Sequence, residues 1–242
     1  NFYAAEYLNQ EISHWQKQGH FCFDIGAEST APQNSAITAA EEQQRLIKFL
    51  FPLLKKNLFN IESCLLSLDT YHAETVQMVL QEFPQYRWIW NDVSGHWDDS
   101  VKDFLARYPQ HHYVYCHNLV PQRSLAGAHQ KYISEMTDED FFEQVVNFFS
   151  VAKKNNSPQV IFDPGFGFAK TYSQNWYLWH HLPELFSRIG DHSWLLGISR
   201  KRFISTSGDT IAGRDEYCKN LILEKAVDLM HSKNLFWRVH AM

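Results

Sequence analysis

Three observations predict an α/β fold with a parallel sheet. Segments with helical periodicity alternate with short apolar segments along the chain. The apolar segments have the composition expected of strands that are buried on both faces. Four of them continue into a polar or charged residue beside a turn, in the stretches FDIGAESTAP from Phe23, SLDTYHA from Ser67, DPGFGFAKT from Asp163 and GISRKRF from Gly197. Parallel β/α proteins display their ligand-binding residues at this edge of the sheet, so we expect one composite site.

The composition limits the class of protein. A chain of 242 residues with 45% hydrophobic content suffices for a large core, and we treat residues 1–242 as a single domain. The formal net charge is −5, with Lys and Arg scattered among Asp and Glu, so nucleic acid is not an expected partner. No apolar run approaches the roughly 18 residues of a membrane span, and the amino-terminal residues are polar. We therefore expect a soluble, cytoplasmic protein without a membrane partner.

In the first half of the chain, apolar periodicity and end signals define the elements. The second helix has a plausible cap at Thr38, followed by acidic residues in its first turn. The predicted order is a helix with Tyr7, Leu8, Ile12 and Trp15 on one face, a strand ending at Asp24, a helix from about Thr38 to Asn57, a strand from Cys64 ending at Asp69, a helix from about His72, a strand from Trp88 ending at Asn91 and Asp92, a helix from about Ser100 to Tyr108, and a strand from Tyr113 ending at His117.

The second half repeats this alternation. Its order is a helix from Asp138 to Lys154, a strand from Val160 ending at Asp163, a helix from Gln174 to about Ile189, a strand from Trp194 leading into the Ser199-Arg200-Lys201 turn, a helix from about Arg214 to Ser232, and a strand from Leu235 to Val239 that ends at His240. The total is about seven helices and seven strands, which fits a (β/α)8 TIM barrel whose first strand and last helix are missing from this sequence. A doubly wound open sheet is the alternative, but no glycine-rich dinucleotide turn follows an early strand.

Six ordered motifs resemble those of dihydropteroate synthase, a family of pterin-binding TIM barrels. FDIGAESTAP is similar to the family's DIGGESTRP loop and SLDT to its SVDT. WNDVSG from Trp90, DPGFGFAKT, GISRKRF and WRVH from Trp237 are similar to INDVSG, DPGFGFGK, GISRKS and RVHD. The resemblance covers nearly the whole chain. It implies that p-aminobenzoate displaces pyrophosphate from dihydropterin pyrophosphate, giving dihydropteroate for folate biosynthesis.

The resemblance also implies a role for individual residues. An ionised carboxylate can accept both N–H groups of a pterin edge, and the resemblance gives this role to Asp163. The implied pterin-binding set is Asp69, Asn91, Asp163, Gly167, Phe168, Lys201 and Arg238. Thr30, Arg238 and His240 are implied to bind pyrophosphate, Thr30, Pro32, Lys201 and Arg202 lie on the p-aminobenzoate side, and Lys201, Arg238 and His240 are the candidate catalytic residues.

Spacing supports one of these pairs. Side chains two apart on a strand share a face, so Arg238 and His240 can converge on one anion. The resemblance further implies Mg2+ as cofactor and a homodimer, although the family's metal-binding asparagine lies on the first strand, which is not in this sequence. The metal ligands are therefore unknown.

Three departures from the family pattern leave alternatives open. Ala31 stands where the family has arginine, Arg202 where it commonly has serine, and Asn118 where it usually has methionine. Arg202 could bind a carboxylate directly or block the p-aminobenzoate slot. A catalytically weakened pterin-binding paralogue with a regulatory or accessory role, and a pterin-dependent methyltransferase domain, therefore remain alternatives to the synthase.

Overall fold

The computed structural model of the chain describes residues 2–29, 35–154, 157–204, 210–229 and 235–240. Its strands are β1 (Cys22–Gly26), β2 (Leu65–Asp69), β3 (Arg87–Asp92), β4 (His112–Cys116), β5 (Val160–Asp163), β6 (Ser193–Leu196) and β7 (Leu235–Trp237). The helices are α1 (Phe2–Lys17), α2 (Ala39–Phe49), α3 (Phe51–Lys55), α4 (Ala73–Glu82), α5 (Asp99–Arg107), α6 (Asp138–Lys153), α7 (Tyr172–His180), α8 (Leu182–Ile189) and α9 (Ile211–Asp228), with 3-10 segments at Arg123–Tyr132 and Arg202–Ile204.

The strands form one parallel sheet in the order β1-β2-β3-β4-β5-β6-β7. Every neighbouring pair is parallel, for example β2 and β3 with Asp69 opposite Asn91. Each strand is thus hydrogen-bonded to the next strand along the chain, with helical segments in the connections, as in a β/α barrel. This confirms the predicted architecture, with seven strands among the described residues instead of the eight of a complete barrel.

Alternation along the strands separates two apolar layers. Leu65, Ile89, Val114 and Ile161 form a small cluster inside the curved sheet. The intervening residues point outward and pack against the helices in the main core, which includes Trp88, Trp90, Tyr113, Phe162 and Trp194, each at most 1% exposed. Polar residues further along the inner face, Ser67, Asp69, Asn91 and Asp163, therefore stand above an apolar floor.

Two predicted helices are each divided into two. The helix predicted from Thr38 to Asn57 is α2 and α3, with Pro52 in the first turn of α3. The helix predicted from Gln174 to Ile189 is α7 and α8, with Pro183 in the first turn of α8. Proline has no N–H and clashes with the preceding turn inside a helix, so it is accommodated where a new helix begins.

Other bounds differ by a few residues. The first strand continues to Gly26 instead of ending at Asp24, and the last strand ends at Trp237 instead of Val239. Helix α9 begins at Ile211, because Thr210 accepts a hydrogen bond from Gly213 N as its cap. The 3-10 segment Arg123–Tyr132 was not predicted from the sequence.

Candidate functional site

A cavity of about 1780 Å³ extends from the carboxyl ends of the strands along the inner face of the sheet to α1 and the segment before β1. Its lining includes residues from the predicted site, contributed by β2, β5 and the segments that follow β5, β6 and β7. They are Asp69, Asp163, Gly167, Phe168, Lys201, Arg202, Arg238 and His240. Asn91 lies beside this set on β3 and is 1% exposed. The described residues of the predicted site are thus brought to one edge of the sheet.

Arg238 joins the two edges of the curved sheet. Its Nε lies 2.7 Å from Asp24 Oδ2 on β1, and its Nη2 lies 2.7 Å from Asp69 Oδ2 on β2. Two carboxylates and one guanidinium thus make a charge cluster that the sequence analysis did not predict in this form. Asp24 was missing from the predicted set, although alternation with Cys22 and Gly26 places it on the face that Ser67 and Asp69 occupy in β2.

Asn91 is held by the same aspartate. Its Nδ2 donates to Asp24 Oδ1 at 3.1 Å and to Oδ2 at 3.3 Å. Its Oδ1 is buried and has no hydrogen-bond partner among the described residues. A buried acceptor without a donor is unfavourable, so this oxygen is suited to an N–H or O–H donor of a ligand.

Burial shifts both predicted carboxylates toward the protonated form. Burial raises the pKa of Asp69 to about 6, with Arg238 opposing the shift and Asp24 adding to it. Burial also raises the pKa of Asp163, against the Gly165 N–H and the charges of Lys201 and Arg238. A ligand that donates two N–H groups would relieve this desolvation by bonding to the charged form.

The loop after β5 folds tightly around Asp163. Gly165 N donates to Asp163 Oδ1 at 2.7 Å, so the carboxylate organises the turn as well as lining the cavity. Gly165 has φ 67°, and a Cβ on it would lie 2.3 Å from the carbonyl oxygen of His117. Only glycine fits this position without displacing the backbone.

Lys170 fixes the same loop from behind. Its ammonium donates to the carbonyl oxygens of Gly165 at 2.9 Å, Phe168 at 3.0 Å and His117 at 3.1 Å, and lies 3.0 Å from His117 Nδ1. Burial lowers the pKa of Lys170 to about 7. The lysine therefore closes the loop from beneath and holds its shape.

Lys201 packs against this loop on the side of the cavity. Its Nζ is 4.5 Å from the centre of the Phe168 ring, a cation–π distance. Its stem passes Gly167 so closely that a Cβ on this glycine would lie 3.2 Å from Lys201 Cδ. Burial and the nearby Arg238 lower the pKa of Lys201. Phe168 and Lys201 thus form one wall of the cavity.

Within the described ranges, Arg238 and His240 contact different side chains. His240 Nδ1 lies 3.0 Å from Ser199 Oγ, and its backbone N–H donates to the same oxygen at 3.2 Å. Burial, followed by the charges of Arg200, Arg238 and Lys201, lowers the pKa of His240. Arg238 is turned to the two aspartates instead. An anion that engaged both residues would have to draw Arg238 from at least one carboxylate.

The 3-10 segment Arg123–Tyr132 forms a second support for the β5 loop. Gln130 Nε2 donates to Gly167 O at 2.9 Å, and the His129 ring centre lies 4.6 Å from that of Phe168. Arg123 anchors the segment through Asp92 and Asp98. Asp92 follows Asn91 on β3, so the two side chains point to opposite faces of the sheet.

The residues predicted for the p-aminobenzoate side are only partly described. Thr30 and Pro32, with Ala31 between them, lie outside the described residues. Arg202 is exposed, begins the second 3-10 segment and lines the cavity. Asn118 is buried, and its Nδ2 donates to Val93 O at 2.8 Å. This departure from the family pattern therefore provides a hydrogen bond to the backbone after β3, next to the site.

Within the described ranges, no group of three or more His, Cys, Asp or Glu side chains is arranged to hold a metal ion. The residues present in that part of the chain therefore do not by themselves fit a Mg2+ site. Among the same residues, no helix is long and apolar enough to cross a membrane.

The fold is a parallel β/α barrel, and buried carboxylates face basic side chains at the carboxyl edge of its sheet. These features define a class of barrel proteins that bind a polar small molecule at this edge. A family model described as "Pterin binding enzyme" matches residues 3–227. The chain belongs to the pterin-binding enzyme family.

Curated relatives include three bacterial proteins. A bifunctional dihydropteroate synthase/dihydropteroate reductase of Helicobacter pylori is 30% identical over 206 residues, covering 85% of this chain and 50% of the relative. Dihydropteroate synthases of Synechocystis and Bacillus subtilis are 32% and 31% identical over 77% of this chain, and the matches cover 61% and 59% of those relatives. The chain thus spans about half to three fifths of the length of these relatives.

Solved structures share the fold. Dihydropteroate synthase from Thermus thermophilus, in complex with 4-aminobenzoate, superposes with a TM-score of 0.72 at 28% identity and covers 96% of this chain and 82% of that one. The Anaplasma phagocytophilum enzyme with bound 6-hydroxymethylpterin-monophosphate gives a TM-score of 0.79 at 23% identity, with 98% and 89% covered. The second likeness supports the fold alone.

Proposed function

We propose that this protein is a dihydropteroate synthase, a transferase that joins p-aminobenzoate to 6-hydroxymethyl-7,8-dihydropterin pyrophosphate. The observation that carries the proposal is the set of Asp69, Asn91 and Asp163 at the ends of three strands, opposite Lys201 and Arg238. Family membership and the named relatives support the same activity.

The pterin is held by hydrogen bonds to the buried polar groups. The Asp163 carboxylate accepts from the amino group and the ring N–H on one edge of the pterin, in a charge-assisted pair. Asn91 Oδ1, which lacks a donor among the described residues, accepts from another N–H of the ring. Asp69, Gly167 and Phe168 complete the pocket, and Lys201 lies against the ring.

The reaction is a displacement at the pterin methylene carbon. The p-aminobenzoate nitrogen forms a bond to this carbon while the bond from carbon to the pyrophosphate oxygen breaks, with considerable carbocation character. Pyrophosphate leaves with the bonding electrons, and the amine proton goes to solvent. An aromatic amine is neutral near pH 7, so the reaction needs no strong general base.

Charge stabilisation of the leaving group is the main catalytic contribution of the chain. Arg238 would break its ion pair with one aspartate and pair with the pyrophosphate oxygens instead. His240 would bind the same group, either as a protonated imidazole or as a neutral hydrogen-bond donor. Thr30, four positions after the end of β1 in the sequence, is proposed to bind the same group. Mg2+ is proposed to accompany pyrophosphate, whose oxygens supply ligands, although the described side chains alone do not form its site.

The co-substrate would approach from the side of Thr30, Pro32, Lys201 and Arg202. Arg202 is exposed at the cavity, where its guanidinium can pair with the p-aminobenzoate carboxylate. The Thermus thermophilus relative, whose structure contains 4-aminobenzoate, supports this class of co-substrate.

Product formation tests the proposal. The purified chain is incubated with 6-hydroxymethyl-7,8-dihydropterin pyrophosphate, p-aminobenzoate and Mg2+, and dihydropteroate is measured by chromatography, with reactions lacking p-aminobenzoate as control. We expect dihydropteroate and pyrophosphate in equal amounts. Pterin binding without any product would contradict the synthase proposal.

That contrary outcome would favour a second function, a pterin-binding paralogue with a regulatory or accessory role. Its specific support is the pair Ala31 and Arg202, which replaces residues typical of the synthases. Complementation of a synthase-deficient bacterium separates the two functions, because only an active enzyme restores growth without added folate products.

We also propose a cytoplasmic homodimer. The support for a dimer is the family resemblance together with helix α9, which exposes several large apolar side chains. These are Ile211, Tyr217, Leu223 and Val227. Leu223 and Val227 are four positions apart, so they lie on one face of the helix, and neighbouring exposed apolar side chains are typical of an association surface.

A further inference from the structure

The Asp24 carboxylate accepts hydrogen bonds from three elements of the site. Ser67 Oγ donates to its Oδ1 at 2.6 Å, and the Asn91 amide donates to both of its oxygens. Arg238 Nε pairs with its Oδ2 at 2.7 Å. The aspartate itself is 20% exposed, and it connects β1 with β2, β3 and the segment after β7.

These contacts determine how Asn91 is presented. An ionised carboxylate only accepts hydrogen bonds, so the NH2 group of Asn91 must face Asp24. The opposite atom, Oδ1, is thereby left as a buried acceptor without a partner among the described residues. If residue 24 could both donate and accept, either end of the Asn91 amide could face it.

Asp24 also determines where Arg238 lies. The guanidinium divides its donors between Asp24 through Nε and Asp69 through Nη2. Without the first carboxylate, Arg238 could pair with Asp69 alone. Asp69 would then be more strongly neutralised than it is in the present arrangement.

We propose that Asp24 is a positioning residue of the ligand pocket, which fixes the acceptor orientation of Asn91 and divides Arg238 between two carboxylates. The inference rests on the proposed pterin function for its ligand, but its geometric basis is independent of catalysis. Asp24 need not touch the substrate, because it acts through Asn91 and Arg238.

Asp24→Asn is the test variant, since it keeps the shape of the side chain and removes its charge. The matched control is Asp103→Asn, which breaks an exposed ion pair with Arg107 on α5. The first measurement is the affinity for 6-hydroxymethylpterin by calorimetry. We expect binding to Asp24→Asn to be weaker by about tenfold or more, and binding to Asp103→Asn to be unchanged.

The second measurement needs no ligand. The charged groups that face Asp69 are Arg238 after β7, Asp24 on β1 and Lys201 after β6. The Asp24→Asn change removes a negative charge near Asp69, and it allows Arg238 to pair with Asp69 alone. Both effects favour the ionised form of Asp69. The titration midpoint of its carboxyl carbon, followed by NMR, should therefore fall by about one pH unit in Asp24→Asn and stay fixed in Asp103→Asn.

The two measurements separate this inference from the proposed function. A wild-type protein that binds pterin but makes no dihydropteroate contradicts the synthase and leaves the role of Asp24 supported if both shifts occur. An Asp69 midpoint that is equal in wild type and Asp24→Asn would overturn the inference, whatever the activity. Equal pterin affinity of the two proteins would overturn it as well.

Discussion

At the scale of single residues, the site depends on charged groups that are only partly exposed to water. Asp69, Asp163, Lys201 and Arg238 line one cavity, and burial together with neighbouring charges shifts the pKa of each. Bonds between buried ionised groups and ligand donors are strong because the surroundings cannot replace them with water. Substitution of one such group should therefore have a large effect on binding.

Asp163→Asn should weaken 6-hydroxymethylpterin binding. The change removes a negative charge from the proposed bidentate contact and turns one acceptor into a donor, so we expect a loss of about 1.5–3 kcal/mol, or roughly 10- to 150-fold in Kd. Calorimetry measures it. Glu143→Gln, which alters an exposed pair with Arg188 on the helices, is the control and should bind as wild type. Unchanged affinity of Asp163→Asn would refute the role of this carboxylate.

Ligand binding should also depend on pH through Asp69. Burial raises the pKa of this group to about 6, so the carboxylate is ionised above pH 6 and becomes protonated as the pH falls below it. Protonation removes its attraction for Arg238 and for ligand donors. Pterin affinity should fall below about pH 6, by up to about tenfold per pH unit. In Asp69→Asn the midpoint near pH 6 should disappear, and a profile identical to wild type would assign the titration to another group.

At the scale of elements, the loop after β5 is the most tightly determined part of the site. Asp163, Lys170 and Gln130 hold it from three directions. Its backbone conformation includes φ values of 67° at Gly165 and 81° at Gly167. Loops that position ligands through backbone atoms depend on such glycines.

Gly165→Ala should displace this loop. The new Cβ would lie 2.3 Å from His117 O at a positive φ, and we expect a loss of more than about 2 kcal/mol in the free energy of unfolding, with weaker pterin binding. Gly19→Ala is a matched control, because Gly19 has φ 87° but no atom within 4 Å of the added Cβ. That control should lose only about 1 kcal/mol. Denaturant unfolding checks both, and equal losses would show that the close contact with His117 is unimportant.

The elements also show what the sequence could predict. The alternation of apolar and helical segments predicted the order of the strands. It also predicted which residues lie at the strand ends, for example Asp69, Asn91 and Asp163. The connection from Arg123 to Tyr132 could not be predicted, because its position depends on contacts with Asp92, Asp98 and Gly167 that are distant in sequence. Proline positions could have indicated the divided helices.

The role of Asp24 was missed for a related reason. Its alternation with Gly26 indicated an inward-facing side chain, but its partners Asn91 and Arg238 come from β3 and from beyond β7. The predicted meeting of Arg238 and His240 on one anion stays a prediction. Arg238 pairs with Asp24 and Asp69, which lie on other strands. The spacing of Arg238 and His240 along one segment gives no information about those two carboxylates.

At the scale of the whole molecule, α9 offers a test of assembly. Val227 is 66% exposed on α9, and Val151 is 55% exposed on α6. If α9 forms the dimer interface, Val227→Glu should shift the protein toward the monomer, because association would bury an unpaired charge. Val151→Glu introduces the same charge on another helix and should leave the mass unchanged. Light scattering after size exclusion measures both, and a dimer unaffected by Val227→Glu would exclude this face.

The ion pair between Arg238 and Asp69 has a consequence for how the molecule folds. The two residues are 169 positions apart in sequence, so the loop-closure entropy of nearly the whole barrel must be overcome before they meet. Until β7 docks, Asp24 and Asp69 lie on adjacent strands without this shared cation, and their mutual repulsion disfavours a half-formed sheet. The segment after β7 thus brings the cation that balances the carboxylates of β1 and β2, and these contacts of the ligand-binding pocket form only once β7 has docked.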